Sequence, residues 1–182
     1  MTKGQISLII VLSLIVCLLV VLTLQLRDKR NQADTDPAYK LLASALESDS
    51  FIDITGNKTV VDPKTAKITV VTVWASWSPY SVQDLQILNA LAVEFKDQPV
   101  AFVAVNRKEP PHQAQRFLDT VGDLPNLKLV IDTTDEFYFA AEGYTMPETV
   151  IYDQNGVIVS QIKGAIRAED LKVLLSDNLS NQ

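Results

Sequence analysis

The sequence predicts an α/β fold, a mixed central sheet with helices on both faces, carried behind one long apolar segment. Three observations predict it. From residue 51 to residue 175 short β-branched runs alternate with stretches of helical spacing, a strand runs directly into a helix near Ser78, and Asn155-Gly156 joins two apolar runs as a hairpin.

The first element is residues 6–26, which follow a short tail, residues 1–5. These 21 residues hold no charge, glycine or proline, and 16 of them are Ile, Leu or Val. As a helix they would be about 31 Å long at 1.5 Å per residue, enough to span a hydrocarbon core. The run is longer than the apolar core of a signal peptide and no small-residue cleavage site follows it. The segment therefore reads as an uncleaved transmembrane helix in contact with the lipid bilayer, and the chain as a single-pass cell-membrane protein. Cys17, the only cysteine, falls inside it and reads as a lipid-facing apolar residue, so cysteine usage is silent on the redox compartment of the rest. Lys3 flanks one end, and Arg27, Lys29 and Arg30 flank the other. Counted alone, those charges place the following domain in the cytoplasm.

Residues 27–50 read as a polar juxtamembrane linker, with Pro37 inside it and one short amphipathic turn or helix over Tyr39–Leu46. All 22 acidic residues lie after residue 26, and the whole chain has a net charge of −6. The charge is spread rather than blocked, which excludes nucleic acid as a partner. His112 is the only histidine, so no Cys/His cluster exists and neither metal nor cofactor is expected.

The globular domain is expected over residues 51–176, before a tail at 177–182. Ile68–Val73 is a buried strand leading into Trp74-Ala75-Ser76-Trp77-Ser78-Pro79-Tyr80-Ser81. After it Leu85, Leu88, Leu91, Ala92 and Phe95 recur at helical spacing, which puts Ser78 and Ser81 at a helix N-terminus. Taken by itself this is an ordinary strand-to-helix turn with Ser81 as its N-cap. Val100–Asn106 reads as a strand, Gln113–Val121 as a helix after Pro110-Pro111, Leu127–Asp132 as a strand and Asp135–Glu142 as a short helix. Thr149–Tyr152 and Val157–Ile162 are the arms of the hairpin. Arg167–Leu175 is the last helix, after Gly164.

Two of these motifs resemble the active site of thioredoxin-fold proteins. Their pattern W-C-x-x-C follows a buried strand, and Ser78-Pro79-Tyr80-Ser81 reads like a C-P-Y-C site with both thiols exchanged for hydroxyls. Met146-Pro147 matches a second landmark of that fold, a cis proline that faces the dithiol and whose preceding residue offers backbone hydrogen bonds to an extended peptide. From Phe51 to Leu175 the chain resembles the TlpA/ResA-like branch, membrane-anchored thiol–disulfide oxidoreductases with an inserted helix–strand pair. Phe51-Ile52-Asp53-Ile54-Thr55-Gly56 is similar to that branch's opening hairpin, and Asp84 falls where its members often carry an acid. The resemblance implies a three-layer thioredoxin-like domain on the extracytoplasmic side, against the charge count.

Dithiol exchange needs a thiolate nucleophile, a sulfur leaving group and a second sulfur to close the ring. A serine hydroxyl supplies none of them. No catalytic residue is therefore expected: Ser78 and Ser81 form a degenerate site, and Trp77, Ser78, Pro79, Tyr80, Met146 and Pro147 line a shallow groove for a polypeptide or membrane-protein partner. One alternative is a thiol–disulfide oxidoreductase of cell redox homeostasis or of cytochrome c and envelope protein maturation. Another is a structural subunit of a membrane complex. A hydrolase pair of Ser78 with His112 is a further possibility, because the loop after Asn106 opens on the same sheet edge as the turn after Val73. The plainer reading of His112 is an exposed residue in the first turn of a helix. Asp84 reads as a favourable charge near a helix N-terminus rather than as a base.

Overall fold

The strand Ile68–Trp74 (β2) is buried along its whole length. Ile68, Val70 and Trp74 pack to one side and Val71 and Val73 to the other, as the two-residue period of a strand requires. A strand buried on both faces belongs at the centre of a sheet. The computed structural model, which describes residues 15–21, 23–24, 44–46, 50–143 and 145–180, places it there. Val100–Arg107 (β3) pairs with β2 in parallel on one side, and Glu148–Asp153 (β5) pairs with it antiparallel on the other. Lys128–Asp132 (β4) extends the sheet in parallel beyond β3, and Phe51–Asp53 (β1) closes that edge antiparallel. Ile158–Lys163 (β6) pairs antiparallel with β5 at the opposite edge, giving the order β1-β4-β3-β2-β5-β6.

Parallel neighbours need long crossovers. The helices Ser81–Glu94 (α1) and Pro111–Val121 (α2) supply them between β2, β3 and β4. Leu85, Leu88 and Leu91 of α1, Ala114 and Leu118 of α2, and Leu171 and Leu175 of Ala168–Ser180 (α4) cover the face that shows Ile68, Val70 and Trp74. Phe137 and Tyr138 of Glu136–Ala140 (α3) cover the other, against Phe51, Val71, Val73, Val105 and Tyr152. Within this apolar sandwich Thr72 and Thr149 stand directly opposite each other, their hydroxyl oxygens 2.9 Å apart, so each satisfies the other.

The elements differ from expectation at their ends, for local reasons. α3 is shorter than Asp135–Glu142 because Asp135 and Glu142 both adopt left-handed backbone, with φ of 68° and 49°. The return arm of the hairpin starts at Ile158, since the Asp153 carboxylate accepts the N–H groups of Asn155 and Val157 and holds both in the turn. α4 continues past Leu175 to Ser180, where the side chains of Ser176, Asn178 and Ser180 donate to carbonyls one turn back.

Residues 15–21 and 23–24 are helical with exposed side chains, Leu18 at 70%. The rest of the expected span 6–26 lies outside the described residues, as do residues 39–43. Among the described residues no helix is long and apolar enough to cross a membrane. Ahead of β1, Ala45 and Leu46 join the second core cluster, and Leu46 is fully buried. Leu46→Ala should therefore destabilise the domain by about 2–5 kcal/mol, read from urea unfolding. A change within about 0.5 kcal/mol, the range of surface positions, would show that this segment is not core.

Candidate functional site at the end of the central strand

The site grows from the point where the chain leaves β2. Trp74 ends the strand with its indole stacked on Phe117 of α2, ring centres 5.4 Å apart. The Ser78 N–H then donates to the Ala75 carbonyl at 3.1 Å, and the Ser81 N–H to the Ser78 carbonyl at 3.3 Å. Ser81 Oγ accepts the Ala75 N–H at 3.2 Å. Ser81 thus ties the turn to the strand instead of acting as the N-cap; that position belongs to Tyr80, which makes no side-chain cap bond. Ser78 is also buried, and its Oγ has no partner among the described residues. Between and beside the two serines the chain faces outward: Trp77 is 61% exposed, Tyr80 is 50% exposed, and Pro79 is exposed.

A buried carboxylate holds this turn from below. Glu109 Oε1 accepts the Ser76 hydroxyl at 2.5 Å and the Gln113 amide at 2.7 Å, while Oε2 accepts the Ser76 N–H at 2.9 Å and the Asn106 amide at 2.6 Å. Four donors on one buried carboxylate fix the backbone at Ser76. The register explains the meeting, for Asn106 lies opposite Trp74 in the parallel β2–β3 pair.

The antiparallel register on the other side brings in the second motif. Val73 pairs with Glu148, the first residue of β5, so Pro147 lies immediately beyond the end of this ladder. The Met146–Pro147 bond is cis. Pro147 is buried, Met146 is half-buried, and the Pro147 carbonyl accepts the Gly164 N–H at 3.0 Å. Among the described residues the backbone N–H and C=O of Met146 have no hydrogen-bond partner. The same is true of Ser78 Oγ, so no nucleophile–base pair forms with His112, which is exposed in the first turn of α2.

Two further acids lie beneath the surface. Burial pushes the Asp84 carboxyl up to about 6, although the Ile166 N–H, 3.3 Å from both oxygens, pulls it back. Burial thus dominates at Asp84, where the sequence suggested a favourable charge near a helix N-terminus. Glu148 is fully buried, and burial raises its carboxyl against the opposing pull of Gln161 and Lys163. Gln161 donates to Oε1 at 2.8 Å, and among the described residues Oε2 has no hydrogen-bond partner. Glu148, Glu109 and Arg107, whose guanidinium lies 5.9 Å from the Trp77 ring centre, were not anticipated from the sequence. A signal existed for the first: a carboxylate in an otherwise apolar strand is uncommon enough to mark a site.

Asp84 gives a pH test. Its folded pKa is raised above the ordinary 3.8, so the folded state binds the proton more tightly than the unfolded chain. The stability this group contributes is present below pH 3.8 and is lost as pH rises through about 6. The stability of Asp84→Asn relative to the parent should accordingly increase across that window, by at most about 3 kcal/mol at neutral pH. Parallel stability–pH curves would contradict the buried acid.

The sequence profile of the Redoxin family matches residues 41–175. The thiol-disulfide oxidoreductase ResA of Geobacillus kaustophilus is 26% identical over 120 residues, which cover 66% of this chain and 68% of that protein. Two further ResA proteins are matched over 56% and 52% of their length. The thiol:disulfide interchange protein DsbE of Haemophilus influenzae is 29% identical over an alignment of 191 positions, covering 99% of this chain and 98% of that one. Among solved structures, a thiol:disulfide interchange protein DsbE from Chlorobium tepidum superposes with a TM-score of 0.64 at 23% identity, over 73% of this chain and 94% of that chain. With its mixed six-stranded sheet, its strand–turn–helix site and these relatives, the chain belongs to the Redoxin family and has a thioredoxin-like α/β fold.

Proposed function

We propose that this domain is a redox-inactive relative of the thiol–disulfide oxidoreductases, one that holds an extended polypeptide and exchanges no electrons with it. The observation that carries the reading is Ser78-Pro79-Tyr80-Ser81 at the start of α1, in a chain whose sole cysteine is Cys17. Two serines stand where the family pattern has two cysteines, and the sequence holds no second thiol to close a disulfide. An alcohol is un-ionised at neutral pH and has no accessible oxidised partner state, so neither half of the exchange can run on it.

The binding half of the machinery is supported by what remains. Trp77 and Tyr80 offer apolar surface, and the Met146 backbone, without a hydrogen-bond partner among the described residues, offers one donor and one acceptor in the manner of a sheet edge receiving a guest strand. Main-chain bonds of that kind give affinity for extended chain with little sequence preference. Residues 6–26 serve as the membrane anchor in this reading, and the domain works on the extracytoplasmic side beside a polypeptide or membrane-protein partner. The competing reading, an active oxidoreductase, is favoured by the names of the relatives and opposed by the missing sulfurs.

Disulfide reduction by the full chain in detergent separates the two. No turnover above a Cys17→Ala control is expected, and turnover that survives Cys17→Ala would overturn the redox-inactive reading. Binding is read with a permanently unfolded, carboxymethylated polypeptide. Trp77→Ala should weaken its capture about tenfold, equivalent to about 1.4 kcal/mol. Capture unchanged by that substitution would remove the groove from the account of binding.

A further inference from the structure

We propose that Arg107 is a positioning residue for Trp77, fixing the indole at the lip of the groove; its use there rests on the polypeptide-holding reading above. Arg107 is the last residue of β3, opposite Asp132 in the parallel pair with β4. Its guanidinium carbon lies 3.5 Å from the centre of the Tyr138 ring and 5.9 Å from that of Trp77. A planar, delocalised cation can stack on one aromatic face while presenting its charge to a second.

The guanidinium is itself immobilised. Nε donates to the two Asp135 carboxylate oxygens at 2.8 and 3.2 Å, and a terminal nitrogen pairs with the same carboxylate. Asp135 is buried, and the start of α3 around it is pinned by Asp132, which accepts the N–H groups of Asp135 at 3.0 Å and Phe137 at 2.8 Å. Tyr138 has a hard backing too. A Cβ at Gly143 would lie 2.2 Å from its ring, so only glycine lets the chain pass there without moving the tyrosine.

Trp77 has no comparable restraint of its own. It is 61% exposed, and among the described residues nothing hydrogen-bonds its indole N–H. The cation–π contact therefore links an exposed aromatic to a half-buried guanidinium that the buried Asp135 carboxylate holds in place. An anchor already held in place loses less freedom when a guest binds, which favours capture without any new contact.

The test follows the two indole N–H groups by NMR relaxation in the full chain. Trp74, fully buried, is the internal reference. In Arg107→Met the order parameter of the Trp77 indole should fall from about 0.85 to below about 0.6 while that of Trp74 stays unchanged. Arg107→Lys, which retains the charge without the planar face, should fall between. The double variant Arg107→Met/Asp135→Asn removes both partners of the ion pair together and supplies the measurement if the single variant does not fold. Capture of the carboxymethylated polypeptide should weaken about three- to tenfold in step with the lost order. An unchanged Trp77 order parameter in a folded variant overturns the positioning role. Lowered order with unaltered capture upholds the positioning role and overturns the polypeptide-holding use of Trp77.

Discussion

Everything at the site depends on the two registers of β2, parallel to β3 and antiparallel to β5. They bring three separate stretches of chain to one end of the sheet: the turn after Trp74, the loop after Asn106, and Met146-Pro147. None of these is near another in sequence. Because side chains alternate between faces, a slip of one residue in either pair would exchange the two sets that β2 buries, Ile68, Val70 and Trp74 against Val71 and Val73, so their packing also fixes the site.

Around that end the protein buries more polar chemistry than packing alone would select. Ser78, Ser81, Asp84, Asn106, Glu109 and Glu148 are all buried, in the turn, in the first turn of α1, at the end of β3 and just after it, and at the start of β5. Asn106 and Glu109 are satisfied by the clamp on Ser76, whereas among the described residues Ser78 Oγ and Glu148 Oε2 have no hydrogen-bond partner. A buried polar atom without a partner lowers stability. Such groups are concentrated at sites shaped for a task, where a scaffold tolerates a local cost. On the proposed reading, the scaffold has retained these surroundings while the reactive atoms have changed from sulfur to oxygen.

Much of the fold was legible in the sequence because its signals are local. The alternation of Ile68–Val73, the helical spacing from Leu85 to Phe95, and Asn155-Gly156 each depend on a few neighbouring residues, and each predicted the element that forms. The contacts of the site were harder to read. Ser81 resembled an N-cap but bonds back to Ala75, a choice set by the geometry of the strand end. Asp84 read as a favourable charge near a helix N-terminus, and nothing local reveals that Ile166, 82 residues later, meets it in the interior. Arg107 gave no sign of its role, since Trp77, Asp135 and Tyr138 meet it only after three elements have packed.

The central claim is that the surface beside Ser78 receives polypeptide. A photoreactive residue placed at Tyr80 in the full chain, within its native membrane, reports directly on what lies there; the same residue at Val173, 60% exposed on α4, reports on general surface. Polypeptide adducts concentrated at position 80 and sparse at 173 are the predicted result. Equal yields at the two positions, or none at 80, would contradict it.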